Sequence, residues 1–327
     1  MSYPLIILGA GASYDSVPDD RITGVKTLRP PVSDSLFDVG FDDFIRRFPE
    51  VKALAVSVIS DVKAGISLED SLLQIKNRVP QNPERGIQLV MFEFYLQELF
   101  LKISDFGGGF GGQTASNYQG LIQEIRDGPK KAIVVNFNYD TLFESDLNPS
   151  MTSTEDYVRG EIKVIKIHGS CNWVYLLRKD SHHSEYDFVR ETPSILAKLR
   201  QNTNVFPHHI SRGDGTYFRL PALAIPLPGK SDFICPPHHR KILEQELSKI
   251  DSILIIGWSA NDTYLTNLIR KTTQPIKMEV VSGEKETMDR IFRKFAICPN
   301  ILCHPGNYKG FSAYMASRER KTFFGTA

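Results

Sequence analysis

Leu5–Ser13 reads LIILGAGAS, and this stretch decides the fold. An apolar run of strand length passes directly into a glycine turn, and the pattern after the turn suits a helix. A strand apolar on both faces belongs inside a sheet covered on both sides. Gly9, Gly11 and Ser13 therefore stand at a strand-to-helix turn. Such a turn lets backbone N–H groups face a pyrophosphate, and the helix start adds its positive dipole end. The full G-x-G-x-x-G pattern is not completed, because Tyr14 occupies its last glycine position. A turn without any ligand has the same signature, so this segment alone leaves both readings open.

Further runs of the same kind follow: Pro4–Leu8 itself, Lys131–Phe137, Lys163–Ile167, Ser252–Ile256 and Lys277–Val281, with Ile301–His304 as a short last one. Helical patterns lie between several of them. Strands alternating with helices predict an α/β fold, a Rossmann-like parallel sheet. Two stretches interrupt the alternation. From about 41 to 127 the chain reads as a helical insertion. MFEFYLQELFLKI (Met91–Ile103) has apolar residues at helical spacing, and Ser67 is placed to N-cap SLEDSLLQIKNRV. The glycine run Gly107–Gly112 within it is expected to be a connection, since glycine this dense does not hold a helix. From about 174 to 240 a Pro-, His- and aromatic-rich segment predicts a small irregular module. No repeat is visible, so residues 1–327 are expected to form one domain.

The bulk numbers suit that reading. The 327 residues carry a formal net charge of +1, with 41% hydrophobic and 24% charged residues. A core can be buried, and nothing in the charge balance calls for nucleic acid or an anionic membrane. No apolar run approaches the roughly 20 residues of a membrane span. The apolar start lacks a basic n-region and a small-residue cleavage site. Cys171, Cys235, Cys298 and Cys303 form no disulfide framework. A reducing, cytoplasmic location is the expectation.

Three further segments carry polar residues at strand ends. In VVNFNYD, Asn136, Asn138 and Asp140 alternate, so a continued strand would point them to one side. A helix-capping turn would use the same residues. In IKIHGSCNW, His168 stands at a strand end beside Gly169, placed for acid–base work. In LIIGWSAND, Gly257 and Ser259 repeat the turn design, with Asn261 and Asp262 beside them; Ser259 or Asp262 would also serve as an N-cap, and both readings can hold at once. The His182–His183, His208–His209 and His238–His239 pairs lack the partner spacing of a metal site and are expected to be solvated.

In order, GAGAS, NFNYD, IHGS and GWSAND resemble the sirtuin superfamily. NYDTLFE, KIHGSCNW, the Leu68–Asp70 LED and AIPLPGKSDFICPP are more similar to its bacterial sirtuin-like branch than to the deacylases. The resemblance implies NAD as substrate. It implies catalytic roles for His168, Asn138 and Asp140. It implies cofactor contacts from Gly9, Ala10, Gly11, Ser13, Asn136, Gly257, Ser259, Asp262 and Ser282. One departure stands out: the deacylases carry paired C-x-x-C motifs between the histidine and Gly-x-Ser motifs, and this chain has no C-x-x-C. A Cys₄ zinc ribbon is excluded, and no metal is expected.

The branch resemblance implies an NAD hydrolase releasing nicotinamide and ADP-ribose, an NAD-depleting effector of bacterial antiphage defence. A free NAD hydrolase would be toxic and the sequence shows no obvious separate sensor domain, so control through homo-oligomerisation or a partner such as a HerA-type ATPase is expected. An NAD-dependent deacylase with a non-zinc module, and a subunit that senses NAD or ADP-ribose without turnover, are the alternatives.

Overall fold

The computed structural model describes residues 2–17, 28–32, 35–107, 116–178, 185–202, 205–207, 216–228 and 234–326. The strands are β1 (Tyr3–Leu8), β2 (Ala132–Asn136), β3 (Ile162–Ile165), β4 (Gly169–Arg178), β5 (Phe206–Pro207), β6 (Tyr217–Leu223), β7 (Ile250–Ile256), β8 (Ile276–Ser282) and β9 (Ile301–Lys309). Six of them form one sheet in the order β3-β2-β1-β7-β8-β9, and every neighbouring pair is parallel. Renumbered along the sheet strands alone, this is the 3-2-1-4-5-6 order of a Rossmann fold. All six strands anticipated from apolar runs are in it.

Alternate residues of each strand enter two separate cores, as the period of two requires. Ile6 and Leu8 of β1, Val134 of β2 and Leu254 and Ile256 of β7 face one layer. Leu5, Ile7, Ile133, Val135, Ile253 and Ile255 face the other. Each such fully buried side chain contributes about 1.5–3 kcal/mol. No turn-rich or amphipathic sequence could satisfy both layers at once, which is why continuous apolar runs mark these strands.

The first layer is the larger because the helical insertion builds it. After α1 (Ala10–Ser16) come α2 (Asp42–Ile45), α3 (Pro49–Lys63), α4 (Leu68–Asn77), α5 (Glu84–Gly107) and α6 (Asn117–Asp127). Ser67 caps α4 by accepting from the Asp70 N–H at 3.1 Å. In α5, Phe92, Tyr95, Leu96, Leu99 and Ile103 are buried, an i, i+3, i+4, i+7 stripe. Gly108–Gly112 of the glycine run lies outside the described residues, as do the His182–His183 and His208–His209 pairs.

The remaining helices are α7 (Leu142–Leu147), α8 (Glu185–Asn202), α9 (Pro237–Glu246), α10 (Thr263–Arg270), α11 (Lys285–Phe295), α12 (Phe311–Ala316) and α13 (Glu319–Phe324). The segment read as a small module contains regular structure: β4 pairs antiparallel with β5 and β6 in a three-stranded sheet that begins already at Gly169. This sheet is joined to the helical insertion. The Gln97 amide donates to the Cys171 and Trp173 carbonyls at 3.1 and 2.9 Å, and Arg200 pairs with buried Glu93. The two Gln97 bonds satisfy backbone carbonyls of β4.

One histidine expected to be solvated is buried instead. His239 is fully buried. Its Nε2 donates to the Thr154 carbonyl at 2.7 Å, and its ring packs on Tyr157 and Trp173. Half-buried Arg320 pairs with Glu124 at 2.7 Å across to α6. Among the described residues no helix is long and apolar enough to cross a membrane.

Candidate active site at the carboxyl edge of the sheet

All four sequence motifs fall at the carboxyl ends of adjacent strands. In an open α/β sheet ligands bind there, at the point where strand order reverses. Here that point lies between β1 and β7. The two turns at it are locked backbone to backbone. The Gly9 N–H donates to the Ile256 carbonyl at 2.9 Å, and the Gly11 N–H to the Gly257 carbonyl at 3.2 Å. A Cβ on Gly9 would sit 2.6 Å from Trp258 Cα, and one on Gly257 would sit 2.6 Å from the Gly11 carbonyl carbon. Gly257 also has φ +62°. These glycines thus have a packing reason of their own, and two N–H groups expected to face a phosphate are engaged by the neighbouring turn. Ala10 is exposed at the head of α1, while Ser13 is buried one turn further on.

The loop after β7 is strained. Ala260 adopts φ +58° while buried, and its carbonyl accepts from Lys294 Nζ at 2.6 Å. A left-handed non-glycine residue costs about 1–2 kcal/mol. Two residues on, Asp262 ends the loop and caps α10, accepting from the Leu265 N–H at 2.7 Å through Oδ1. Its other oxygen, Oδ2, lies 2.9 Å from His168 Nε2. One carboxylate therefore serves as both helix cap and partner of the histidine. Both groups are buried. A ring that donates Nε2–H to a carboxylate carries its basic lone pair on Nδ1 and is fixed in orientation, the requirement for acid–base work. Ser259 and Ser282 are half-buried at the ends of β7 and β8, and Ser282 Oγ accepts from the Glu284 N–H at 3.2 Å.

His168 is held from every side. Its carbonyl accepts from Ala224 N–H at 2.9 Å. Gly169, at φ +80°, lets β6 cross close behind it, since a Cβ there would lie 2.7 Å from Leu223 Cα. Phe137 meets the imidazole edge-on at 5.0 Å and stacks on Trp258 at 5.2 Å. The histidine thus rests on an aromatic layer supplied by the β2 and β7 motifs.

Strand β2 ends at Asn136, so Asn138 and Asp140 lie in a loop rather than on a continued strand. The reason is local. Asn136 Oδ1 accepts from the Asn138 N–H at 3.0 Å, and its Nδ2 donates to Glu144 at 3.0 Å. Asn side chains divert the backbone in this way. Asn138 Nδ2 donates to the Tyr118 hydroxyl at 3.3 Å, and that hydroxyl also bonds Ser13 Oγ at 2.8 Å. Asp140 accepts at 3.2 Å from the N–H of Leu142, the first residue of α7.

Beneath this loop lies a charged cluster that the sequence reading did not single out. Lys166 is fully buried. Its ammonium pairs with Glu144 at 3.3 Å and donates to the Asp140 carbonyl. Burial raises the Asp140 and Glu144 carboxyls above their ordinary range, and Lys166 opposes the rise. The signals were a lysine inside the apolar run IKIHG and a glutamate behind the apolar pair Leu142–Phe143. Tyr118 was missed because it reads as one more core aromatic of the insertion. Burial likewise lifts its hydroxyl well above the ordinary phenol value.

The cysteines are scattered. Cys171 is buried on β4, and burial pushes both its thiol and that of Cys235 up to about 12. Neither is an activated nucleophile. Among the described residues no group of three His, Cys, Asp or Glu side chains is gathered to hold a metal.

No family model matches the chain, and no curated protein does. Solved structures it resembles include a Sir2 homologue in complex with NAD, at 13% identity and TM-score 0.46, covering 99% of this chain and 91% of that one. A mutant Sir2 homologue with 2'-O-acetyl ADP-ribose gives 15% identity and TM-score 0.44, covering 99% and 93%. Another, bound to ADP-ribose, gives 14% and 0.43, again covering 99% and 93%.

Proposed function

We propose that the chain is an NAD hydrolase that releases nicotinamide and ADP-ribose. The observation that carries this reading is the His168–Asp262 pair standing beside the Asn138 loop at the switch point of a Rossmann-ordered parallel sheet. That combination joins a dinucleotide-type crevice to an oriented acid–base group and an amide able to align water. The sequence resemblance supplies the substrate.

Cleavage of the glycosidic bond passes through an oxocarbenium-like state. The bond from the anomeric carbon to the nicotinamide nitrogen breaks, and its electron pair leaves with neutral nicotinamide. Water then adds to the anomeric carbon and loses one proton. Asn138 orients that water and the ribose. His168 accepts the proton, from the water or through a ribose hydroxyl, and Asp262 stabilises the resulting imidazolium. Asp140 fixes the loop or the nicotinamide carboxamide. Ala10, Gly11, Ser13, Ser259 and Ser282 line the phosphate and ribose side, with Gly9 and Gly257 shaping the turns.

Incubation of the purified chain with NAD, followed by product identification, tests the proposal. ADP-ribose and nicotinamide in equal amounts support it. Product that forms only with an acyl peptide would instead make the chain a deacylase, and tight binding without product would make it a sensor. The role of an NAD-depleting antiphage effector, acting in the cytoplasm as a homo-oligomer or with a HerA-type ATPase, belongs to the same proposal and rests on the branch resemblance. Survival of phage-challenged cells carrying His168→Ala tests it: protection equal to the wild type overturns it.

A further inference from the structure

Helix α6 places one side chain, Tyr118, in the candidate site, from a segment that none of the four motifs touches. The placement is firm at the helix start. Ser116 caps α6 through the Gln119 N–H at 3.0 Å, and Asn117 donates to the Asp15 carbonyl at 2.7 Å, tying α6 to α1. The Tyr118 ring packs against Phe143 and Phe311, with centroids 5.5 and 5.7 Å away. That aromatic packing is complete without a hydroxyl, yet the hydroxyl is there, fully buried. It touches two residues that the motifs put in the site: Ser13 Oγ at 2.8 Å and Asn138 Nδ2 at 3.3 Å.

The two bonds have a direction. A phenol has one hydrogen to give. The Asn138 amide nitrogen can only donate, so the Tyr118 oxygen accepts in that bond. The phenol's own hydrogen is left for Ser13 Oγ. The Asn138 amide is thereby turned with its nitrogen inward, and its carbonyl oxygen remains as the end that receives a hydrogen bond from water.

We propose that Tyr118 is a positioning residue, which holds the Asn138 amide so that its carbonyl oxygen faces the attacking water. This rests on the hydrolase reading above and deepens it. Tyr118 touches no reacting atom. It acts through Asn138, and removing its hydroxyl frees the amide to rotate.

The test is Tyr118→Phe, which keeps the ring between Phe143 and Phe311. The measurements are steady-state cleavage of NAD and calorimetric titration with ADP-ribose. Loss of aim at a catalytic group lowers kcat by about 10–100-fold. KM for NAD and ADP-ribose affinity should stay within about 2-fold, because Tyr118 does not bind the ligand. A variant with wild-type kcat overturns the inference while the hydrolase reading stands. A variant that loses kcat and ADP-ribose affinity together also overturns it, since the hydroxyl would then be part of the binding surface or the fold. A wild-type chain that leaves NAD intact overturns both.

Discussion

Two contacts close the carboxyl edge of this sheet, and they are built from opposite materials. Where β1 meets β7, Gly9 and Gly11 lie against Gly257 with no side chain between them. Behind β2 and β3, Lys166, Glu144, Asp140 and Asn136 fill the same depth with charge and amides. The first contact is possible because glycine has no Cβ, and it brings two turns close enough to share backbone bonds. The second sets the Lys166 ammonium against the Glu144 carboxyl and the Asp140 carbonyl, because a buried charge without a partner costs several kcal/mol. The switch point thus supplies shape, and the ionic cluster supplies the support on which the Asn138 loop is aimed. A buried ion pair is weak evidence of stability in itself, but it fixes one arrangement of the loop that the polar chemistry needs.

The comparison can be broken at several points. His168→Ala removes the proposed base and should reduce NAD cleavage by about 10²–10⁴-fold, with unchanged circular dichroism. Wild-type turnover in that variant would detach the chemistry from this edge altogether. Lys166→Met leaves two buried carboxyls without their cation, and should destabilise the fold by about 3–5 kcal/mol in urea denaturation. A variant as stable as the wild type would show that the cluster is dispensable. Gly257→Ala combines a left-handed backbone with a clash against the α1 turn, and should cost about 2–4 kcal/mol. A smaller loss, read from the same denaturation curves, would mean the two turns can separate.

The smallest effect concerns His239, away from both contacts. Burial lowers its pKa from 6.5 to about 4, because the neutral ring is what packs on Tyr157 and Trp173. The folded pKa lies below the unfolded one, so the unfolded chain takes up the proton first as pH falls. The stability from the neutral ring is present above about pH 6.5 and is lost toward pH 4. Its ceiling is about 3 kcal/mol. His239→Gln should flatten the stability–pH profile across that window, and an unchanged slope would reassign the dependence to other groups. Asp140 and Glu144, both raised, contribute with the opposite sign: each favours the folded state as pH falls.

How much of this was legible follows from the physics of each signal. The parallel strands were readable because burial on both faces demands an unbroken apolar run, which no other local structure imitates at that length. Strands β4 and β6 were not. Gly169–Arg178 mixes polar and aromatic residues, and its partner lies far along the chain at Tyr217–Leu223, so nothing local announces the pair. The same holds within the site. His168, Asn138 and Asp262 could be singled out because they stand at strand ends in motifs. Tyr118, Lys166 and Glu144 could not, because each sits in an apolar pattern where it reads as core or as chance.

By itself the sequence determined the α/β class, the six strands of the sheet, the capped helix at Ser67 and the motifs at the strand ends, since all of these depend on local periodicity and turn chemistry. Only the tertiary structure decided that Asp262 caps α10 and holds His168 at the same time, that Lys166 is buried under the Asn138 loop, and that the glycines of β1 and β7 meet. Those pairings join residues distant in sequence. Their energies arise from burial and hydrogen-bond geometry, which exist only once the sheet has brought the strand ends together.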